Sequence, residues 1–411
     1  MENRYDKYKD SGIEWIGEIP EHWKVIKIKN AFSIISGATP KTDNIAYWDG
    51  EITWITPADY KTEDIIIKYG KRNITIEGLN SCGTSIVPQG SIIFSKRAPI
   101  GLVAINAVPL CTNQGCISCI PKTFVNAKYF YYLMSILTEW FELFGSGTTF
   151  KELSTNNFAN FSLSQPSLTE QQSIADYLDR KCGEIDELIT LQEEMITKLQ
   201  SYKQSVITEA VTKGLDKNVP LKDSGIEWIG EIPEHWEITK IQYLTQLKSG
   251  YNLTTEEIKD SGLYPVYGGN GIRGYYDKYF LEGDYVLIGR QGALCGNINY
   301  STGKSWATEH AVVCYPKTKY ITKWFGELLR VMNLNQYSLA AAQPGLAVER
   351  IKLLPIPIIP VSEQQAIADY LDQKCGEIDE LISIKQQKIE KLKDYKKSLI
   401  FECVTGKRKV C

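Results

Sequence analysis

The chain has 411 residues, of which 43% are hydrophobic and 23% are charged, and its formal net charge is −3. This length allows two or three domains with cores of their own, and the composition is ordinary for a globular protein. The N-terminal residues lack the apolar stretch of a signal peptide, and no run of 18 apolar residues predicts a membrane span. Ten cysteines without a secretion signal predict a reduced, cytoplasmic protein with free thiols.

Two segments of the chain occur twice and enclose two unlike middles. Residues 9–23 read KDSGIEWIGEIPEHW and recur unchanged at 222–236, a shift of 213 residues. Residues 170–189 read EQQSIADYLDRKCGEIDELI and recur with two changes at 363–382, a shift of 193. We call the first pair the straps and the second pair the spacer segments. A duplication of this kind predicts one scaffold that presents two different surfaces.

The positive charge is concentrated in the middles. Residues 24–160 and residues 237–357 each contain 13 Lys and Arg against 10 Asp and Glu, a net charge of +3. The spacer region 170–213 has 5 against 9, and its copy at 363–406 has 7 against 9. This slight excess permits the middles to bind a polyanion but does not require it.

Each strap is rich in Trp and Gly, which predicts an irregular segment and not a long helix. We expect Trp15, Ile16 and Trp23 to pack on another element. His22 and His235 recur with the straps, but no Ser, Cys or Asp partner recurs beside them. We therefore interpret both histidines as structural.

Both middles follow one plan of strands, then a helix, then a loop that leads to a spacer segment. In the first, the alternation from Val25 predicts a strand, and residues 127–144 predict a helix. The second has strand-like stretches from Tyr264 and Gly283 and a helix near Ile321. The middles are therefore α+β domains of one type with diverged surfaces.

The spacer segments predict two long helices. Residues 169–172 and 362–365 match capping boxes, and Gly214 and Gly406 are placed to end the helices. Apolar residues recur at spacings of three and four: Ile185, Leu188, Met195, Leu199, Tyr202 and Val206, then Ile378, Leu381, Leu392, Tyr395 and Leu399. A stripe over about forty residues needs a covering partner, and the other copy, running antiparallel with one middle at each end, is the economical one. Two separate surface helices are the alternative.

The resulting fold class is α+β, with two globular domains joined by two long antiparallel, coiled-coil-like helices in a pseudo-two-fold repeat. The predicted boundaries are 1–165 for the first strap and domain, 166–214 for the first spacer helix, 215–358 for the second strap and domain, and 359–411 for the second spacer helix and tail.

The motifs that usually carry chemistry are weak here. Residues 269–274 match GxGxxG, but a strand-like stretch follows where a dinucleotide fold needs a helix, so we interpret a Gly-rich turn. Residues 303–305 read GKS, like the end of the P-loop motif GxxxxGK[ST]. The first Gly of that motif would fall at position 298, which is Ile298, so no P-loop is predicted. Cys116 and Cys119 form a single pair in an apolar strand and are interpreted as buried, without a metal role. No amino-methylation motif, nuclease cluster or HExxH occurs, which predicts a non-catalytic chain.

The candidate binding residues lie at matching places in the two middles. Lys96 and Arg97 follow GSIIFS, Arg290 and Gln291 follow GDYVLIG, and Arg97 and Arg290 are 193 residues apart. Arg273 lies in the Gly-rich segment of the second middle. Arg and Gln are side chains that read guanine and adenine edges in the major groove of DNA. The alternative is that each Arg pairs with a carboxylate or a phosphate and reads no base.

The doubled strap SGIEWIGEIPEHW and the doubled spacer EQQxIADYLDxKCGEIDELI, in this order around variable middles, resemble the specificity subunit of type I restriction-modification systems. The resemblance covers nearly the whole chain. It implies that the middles are target-recognition domains that each read half of a bipartite DNA sequence, and that the paired helices set the gap between the half-sites.

The resemblance also implies the partners. Two modification subunits would dock on the repeated regions and methylate adenine with S-adenosylmethionine, and two restriction subunits would use ATP and Mg for translocation and cleavage. The chain itself would bind no cofactor and no metal, and it would not enter a membrane. Two alternatives stay open from the residues: a self-contained DNA methyltransferase or nuclease, and a coiled-coil scaffold whose ligands are not DNA.

Overall fold

The computed structural model describes residues 4–61, 65–146, 151–292, 294–338 and 345–410. They form two compact units. Unit 1 is built from the described residues up to Gln192 and from Gln387 onward, and unit 2 is Glu193–Gln386. Each unit therefore contains one strap, one middle, the first part of one spacer helix and the last part of the other.

Unit 1 combines short strands with short helices. Its strands are β1 (Tyr8–Asp10), β2 (Glu18–Pro20), β3 (Lys24–Lys27), β4 (Phe32–Ser36), β5 (Trp48–Ile55), β6 (Ile66–Ile67), β7 (Arg72–Ile74), β8 (Ile92–Lys96), β9 (Ile100–Asn106), β10 (Cys111–Thr112), β11 (Cys116–Pro121) and β12 (Ser162–Gln165). Its short helices are α1 (Ile28–Ala31), α2 (Ile76–Asn80), α3 (Ala127–Ser135), α4 (Thr138–Leu143) and α5 (Thr155–Asn160).

The main sheet of unit 1 has the order β4-β11-β8-β9-β6, in which only β6 runs parallel to its neighbour. A second sheet has the order β10-β5-β7, and β12 pairs with β3. The strap forms the antiparallel pair β1-β2. Trp15, Ile16 and Trp23 are buried in the core of the unit, as predicted.

The long helix that follows, α6 (Leu168–Lys213), leads into unit 2. The strands of unit 2 are β13 (Leu221–Asp223), β14 (Glu231–Pro233), β15 (Glu237–Lys240), β16 (Thr245–Ser249), β17 (Tyr264–Gly268), β18 (Gly271–Tyr276), β19 (Leu281–Glu282), β20 (Tyr285–Gly289), β21 (Ile298–Ser301), β22 (Lys304–Ala307), β23 (Ala311–Pro316) and β24 (Pro355–Ile358). Its short helices are α7 (Ile241–Leu244), α8 (Thr322–Val331) and α9 (Val348–Ile351), and the second long helix is α10 (Val361–Val404).

Unit 2 repeats the plan of unit 1. Its antiparallel sheet β16-β23-β20-β21 corresponds to β4-β11-β8-β9, and β13-β14 is the second strap. A second sheet has the order β18-β17-β22-β19. The α+β class predicted for both middles is confirmed.

Two local predictions were wrong. The strand predicted from Val25 is interrupted by α1, because Ile28 and Ala31 lie three residues apart and are both fully buried on one side of a helical turn. The helix predicted over 127–144 is two helices, α3 and α4, separated at Ile136 and Leu137. At α1, burial of Ile28 and Ala31 decides the local structure more strongly than the sequence period does.

The ends of the long helices agree with the prediction only in part. Gly214 and Gly406 follow the helices with φ of 76° and 73°, as expected for glycines that end a helix. The first capping box, however, is formed by Ser167 and not by Thr169. Ser167 Oγ accepts from Glu170 N at 3.3 Å, and Ser167 N donates to Glu170 Oε2 at 3.2 Å.

The second predicted box is also wrong. Helix α10 begins at Val361, immediately after Pro360, so Ser362 already lies inside the helix and cannot be its N-cap. The first turn is closed by Gln364 N, which donates to Pro360 O at 3.0 Å.

The predicted apolar stripe of the long helices is only half covered. Ile185, Val206, Ile378 and Leu399 are buried. Five other residues of the stripe are 37% to 57% exposed: Leu188, Met195, Tyr202, Leu381 and Tyr395. At 100° per residue, Leu188 is about 60° away from Ile185, so a stripe read at a spacing of three drifts off the buried face.

In each unit, the two spacer-helix segments are joined by the same ion pair. In unit 1, Lys396 Nζ lies 2.7 Å from both carboxylate oxygens of Asp186. In unit 2, Lys203 Nζ lies 2.7 Å from both oxygens of Asp379. The pairs are copies of each other, because both the Asp and the Lys positions are related by the 193-residue shift.

The segments run in opposite directions within each unit. In unit 2, Lys385 Nζ lies 3.2 Å from Met195 Sδ. Met195 precedes Lys203 in α6, whereas Lys385 follows Asp379 in α10. In unit 1, Ser164, just before α6, donates from its Oγ to the carbonyl oxygen of Val404, the last residue of α10, at 2.9 Å, whereas Asp186, further along α6, pairs with the earlier Lys396. The direction is therefore antiparallel in both units.

Each strap is fastened to the start of a long helix by one glutamate. His22 Nε2 lies 2.8 Å from Glu170 Oε1, and Trp23 Nε1 donates to the same oxygen at 3.2 Å. Burial raises the pKa of Glu170, but hydrogen bonds from His22 and other donors outweigh burial and keep this pKa below its usual value. His235, Trp236 and Glu363 repeat the joint in unit 2. The structural interpretation of the two histidines agrees with these contacts.

Among the described residues, no helix combines the length and the apolar character needed to cross a membrane. The cysteines described there are free thiols.

We predict that Gly406→Ala destabilises the protein by roughly 2 kcal/mol or more, since a left-handed φ is strained with a side chain. A Cβ at this position would also lie 2.4 Å from Pro20 Cδ in the strap. Gly183→Ala is the matched control, because that helical glycine has nothing within 4 Å of its would-be Cβ. It should be neutral or stabilise by up to about 1 kcal/mol. Urea unfolding followed by tryptophan fluorescence measures both variants, and equal stabilities would contradict the prediction.

Candidate nucleic-acid interface

Four of the five candidate residues lie at the same strand end in the two units. In unit 1, β8 runs between β11 and β9 and ends at Lys96, which Arg97 follows. In unit 2, β20 runs between β23 and β21 and ends at Gly289, which Arg290 and Gln291 follow. The sequence correspondence of Arg97 and Arg290 is therefore also a correspondence of topology.

Lys96 and Arg97 share one carboxylate. Lys96 Nζ lies 2.7 Å from Glu152 Oε1, and Arg97 Nη1 lies 3.3 Å from Glu152 Oε2. The hydrogen bond from Lys96 holds the pKa of Glu152 below its usual value. The carboxylate is therefore ionised at neutral pH, and the three side chains together carry a charge of +1.

The two cations differ in exposure. The side chain of Lys96 is 13% exposed and that of Arg97 is 36% exposed. Lys96 therefore mainly neutralises Glu152, whereas the Arg97 guanidinium reaches the surface. Sequence reasoning missed Glu152, which is 55 residues from Arg97 and is brought there by an isolated backbone bridge between the two. From the sequence, pairing with a carboxylate is the alternative to base reading by Arg97. The contact between Arg97 and Glu152 is a pairing of this kind.

An uncharged pair lies beside the cations of unit 1. Lys96 N donates to Gly115 O at 2.9 Å, which holds the loop before β11 against the end of β8. In this loop, the exposed Gln114 accepts a hydrogen bond from Thr39 Oγ1 through its Oε1. No sequence motif marks Gln114 or Thr39, and only the packing of two loops brings them together.

The matching place in unit 2 carries different side chains. Arg290 Nη1 donates to Ser249 Oγ at 3.1 Å. Gln291 Oε1 lies 3.1 Å from His310 Nδ1, and His310 Nε2 lies 3.1 Å from Glu309 Oε1. Arg290 N donates to His310 O at 2.8 Å, so the same loop again borders the strand end. Sequence reasoning missed His310 and Glu309.

The Gly-rich segment of unit 2 forms the turn between β17 and β18, as predicted. Gly269 O lies so near β20 that a Cβ on Gly289 would be 2.2 Å from it, and only glycine permits this approach. Arg273 lies on β18 as that strand leaves the turn, and it is exposed. Its stem covers Gly268, where a Cβ would lie 2.4 Å from Arg273 Cδ. The structure thus brings the turn to the end of β20 and places Arg273 on the adjoining strand.

The other motif matches have structural roles. Gly303 precedes strand β22, where a P-loop requires a helix. Cys116 and Cys119 are fully buried in β11, as predicted, and burial raises the pKa of Cys116 to about 12. Over the residues for which the structure gives positions, no cluster of three or more His, Cys, Asp or Glu could hold a metal ion.

Both strand ends therefore present hydrogen-bond donors and acceptors on a rigid sheet. A guanidinium can donate in pairs to a phosphate or to O6 and N7 of guanine, and an amide can bond in pairs to adenine. Such side chains suit contact with a nucleic acid.

Comparison with known proteins also indicates contact with a nucleic acid. Residues 20–200 and 233–394 match the family model described as the type I restriction modification DNA specificity domain. The chain is 30% identical to the type I restriction enzyme EcoprrI specificity subunit of Escherichia coli over 88% of this chain and 90% of that protein. It is 37% identical to the MjaIX specificity subunit of Methanocaldococcus jannaschii over 59% of this chain. The aligned part covers 56% of that relative's length.

Solved structures share the fold. A chain from a structure concerning complex assembly and conformational transition of the type I R-M system superposes with a TM-score of 0.75, at 16% identity, over 94% of this chain and 98% of that one. The HsdS subunit from Thermoanaerobacter tengcongensis gives a TM-score of 0.57 at 14% identity, with the same coverage.

The family model matches both repeats, one in each half of the chain, and a relative with 30% identity is aligned over nearly its whole length. The resemblance seen in the straps and spacer segments is thereby confirmed: the chain belongs to the type I restriction modification DNA specificity family, and its function is DNA target recognition as a specificity subunit.

Proposed function

We propose that this subunit reads a bipartite sequence in duplex DNA, one half with each unit. The observation that carries the proposal is the repetition of one strand end with unlike neighbouring side chains: Lys96 and Glu152 beside Arg97 in unit 1, and Ser249 and Gln291 beside Arg290 in unit 2. Two frames of the same topology with different side chains at the same place are what two different half-sites require, since base contacts specify and phosphate contacts position.

Lys96, Arg97, Arg273, Arg290 and Gln291 are proposed to contact DNA. Arg97, Arg290 and Gln291 have the donor geometry to reach base edges, and Lys96 and Arg273 suit phosphate oxygens. Support comes from their position at strand ends and on β18 next to a glycine turn, where backbone can approach a ligand closely.

We also propose that the two globular domains, 1–165 and 215–358, are joined by spacer helices 166–214 and 359–411 that pair antiparallel along their length. The mirrored pairs Lys396–Asp186 and Lys203–Asp379 support this arrangement. Helices of 46 and 44 residues are about 69 and 66 Å long, enough to hold two reading surfaces at a fixed separation along DNA. In this proposal, the helices set the length of the spacer between half-sites.

The partners are proposed to be two modification subunits and two restriction subunits. They would supply adenine methylation with S-adenosylmethionine, and translocation and cleavage with ATP and Mg, while this chain remains non-catalytic and works in the cytoplasm. The free thiols of its described cysteines suit a reducing compartment.

A duplicated apolar surface suits two identical partners. Leu188, Leu191 and Tyr395 are exposed in unit 1. Their copies in unit 2, related by the 193-residue shift, are Leu381, Ile384 and Tyr202, and these are exposed as well. Exposed apolar side chains at matching places in both repeats present the same patch twice, as the docking of two copies of one partner needs.

The first prediction concerns modularity. Replacing residues 237–357 with the second middle of another family member should change one half of the recognised sequence and leave the other half intact, because each unit has its own sheet and strand end. Sequencing of methylated adenines in a strain that expresses the chimera measures this. A chimera in which both halves change would contradict independent reading.

The second prediction concerns the spacer. Four residues inserted in both long helices, after Gln192 and after Gln386 where the units divide, add about 6 Å of helix and rotate it by only about 40°. The preferred DNA spacer should lengthen by one to two base pairs, at about 3.4 Å each. Two residues inserted at the same places rotate the helix by about 200° and should weaken methylation at every spacing.

Methylation of a DNA library with randomised spacer lengths, by the chain assembled with its modification subunits, measures both insertions. An unchanged spacer preference in the four-residue variant would show that the helices are not the ruler.

The third prediction concerns docking. Leu191→Glu should reduce the bound modification subunits from two to one, and adding Ile384→Glu should remove the second, since a buried unpaired charge weakens an interface by at least about tenfold. Thr190→Glu is the control, because it is exposed but lies on another side of the helix. Native mass spectrometry counts the subunits, and two bound subunits in the double variant would contradict the proposed patch.

A further inference from the structure

We infer that Glu152 is a positioning residue: the Lys96–Glu152 pair holds Arg97 in place to read one guanine of the first half-site. The inference rests on the proposed function and assigns, within it, a specificity-determining role to a residue that does not itself touch DNA. The strand end supplies the geometry, and the charges of the three side chains supply the reason.

Backbone hydrogen bonds hold Glu152 in place, independently of its side chain. Glu152 and Ser146 exchange two backbone hydrogen bonds of 3.0 Å, and Leu153 N donates to Lys96 O at 2.9 Å. Glu152 also forms a backbone bridge with Arg97. The carboxylate therefore stands at a defined place beside the end of β8, and its position does not depend on a long mobile side chain alone.

The carboxylate uses its two oxygens differently. Oε1 accepts from the nearly buried Lys96, and Oε2 accepts from Arg97 Nη1 at 3.3 Å. A guanidinium has five N–H donors in a planar fork, so one contact through Nη1 orients the plane and leaves other donors free. Those donors suffice for the paired contact to O6 and N7 of guanine.

Lys96 makes this arrangement compatible with DNA. A lone carboxylate next to the phosphate backbone would repel it, but Lys96 neutralises Glu152 from the protein side. The group then presents a net charge of +1 through Arg97, which is the more exposed of the two cations. Lys96 is the innermost of the three side chains at 13% exposure, and Arg97 and Glu152 both reach the surface at 36% and 38%. Arg97 is the member whose remaining donors can read a base.

Unit 2 orients its arginine without a carboxylate. The residue that bridges the strand end there is Gly345, which pairs with Gln291, and Arg290 Nη1 instead donates to Ser249 Oγ. Arg97 and Arg290 are thus both held through Nη1, one by an anion and the other by a hydroxyl. Loss of the Glu152 charge should therefore affect the first half-site and leave the second unchanged.

The test uses the full chain assembled with its modification subunits. Its target is first read from methylated DNA, and methylation rates are then measured on duplexes with each base pair of both half-sites substituted in turn. Glu152→Gln should lower discrimination for guanine at one position of one half-site by about tenfold and leave the other positions unchanged. Arg97→Lys should lower discrimination at the same position by about five- to hundredfold, because lysine lacks the planar fork.

The double variant separates positioning from a general effect of charge. If Glu152 acts through Arg97, Glu152→Gln with Arg97→Lys should discriminate no worse than Arg97→Lys alone. Glu139→Gln is the matched control, because that exposed glutamate also pairs with a lysine, Lys397, at 3.1 Å. It should change no base preference.

Three outcomes would overturn the inference. Glu152→Gln could raise affinity for all duplexes alike with a steeper salt dependence, which would make Glu152 only a repulsive charge. It could leave every base preference unchanged, or it could add its effect to that of Arg97→Lys. In all three cases the unsubstituted chain would still recognise two half-sites. Failure of the unsubstituted chain to recognise a bipartite target would instead refute the proposed function.

Discussion

Each unit depends on the packing of two helical segments that are far apart in the chain. In unit 1, Leu178 and Ile185 of α6 share a core with Leu399 and Val404 of α10. A fully buried side chain of this size contributes about 1.5–3 kcal/mol, whereas an exposed ion pair such as Lys396–Asp186 contributes about 0–1 kcal/mol. Apolar burial therefore supplies the stability, and the ion pairs help to set the register. One copy of the repeat cannot complete either unit alone, because each unit needs the end of the other helix.

The straps connect this helical frame to the sheets. Glu170 and Glu363 each lie in the first turn of a long helix, and each binds the His and Trp of a strap. These contacts recur in both units because the sequences that make them are the same. The side chains after β8 and β20 take no part in them. Their identity can therefore change while the frame stays intact, which explains how one scaffold carries two different surfaces.

The two strand ends show what this freedom permits. Lys96, Glu152 and Arg97 form a charged sequence in unit 1, while Arg290 in unit 2 is held by the hydroxyl of Ser249. The arginine position is shared because the strand ends are equivalent. The supporting side chain differs because it comes from another loop, which can vary separately.

The sequence by itself determined the duplication, the family, the α+β class of the middles and the two long helices with Gly214 and Gly406 beyond their ends. These features rest on local patterns and on identical segments. It also identified Arg97 and Arg290 by their common shift. Only the tertiary structure placed Glu152 beside Arg97 and His310 beside Gln291, because those contacts come from loops far away in sequence. It likewise decided which half of the apolar stripe is buried and that Ser167 caps α6, since both depend on which neighbours cover each side chain and satisfy each backbone group.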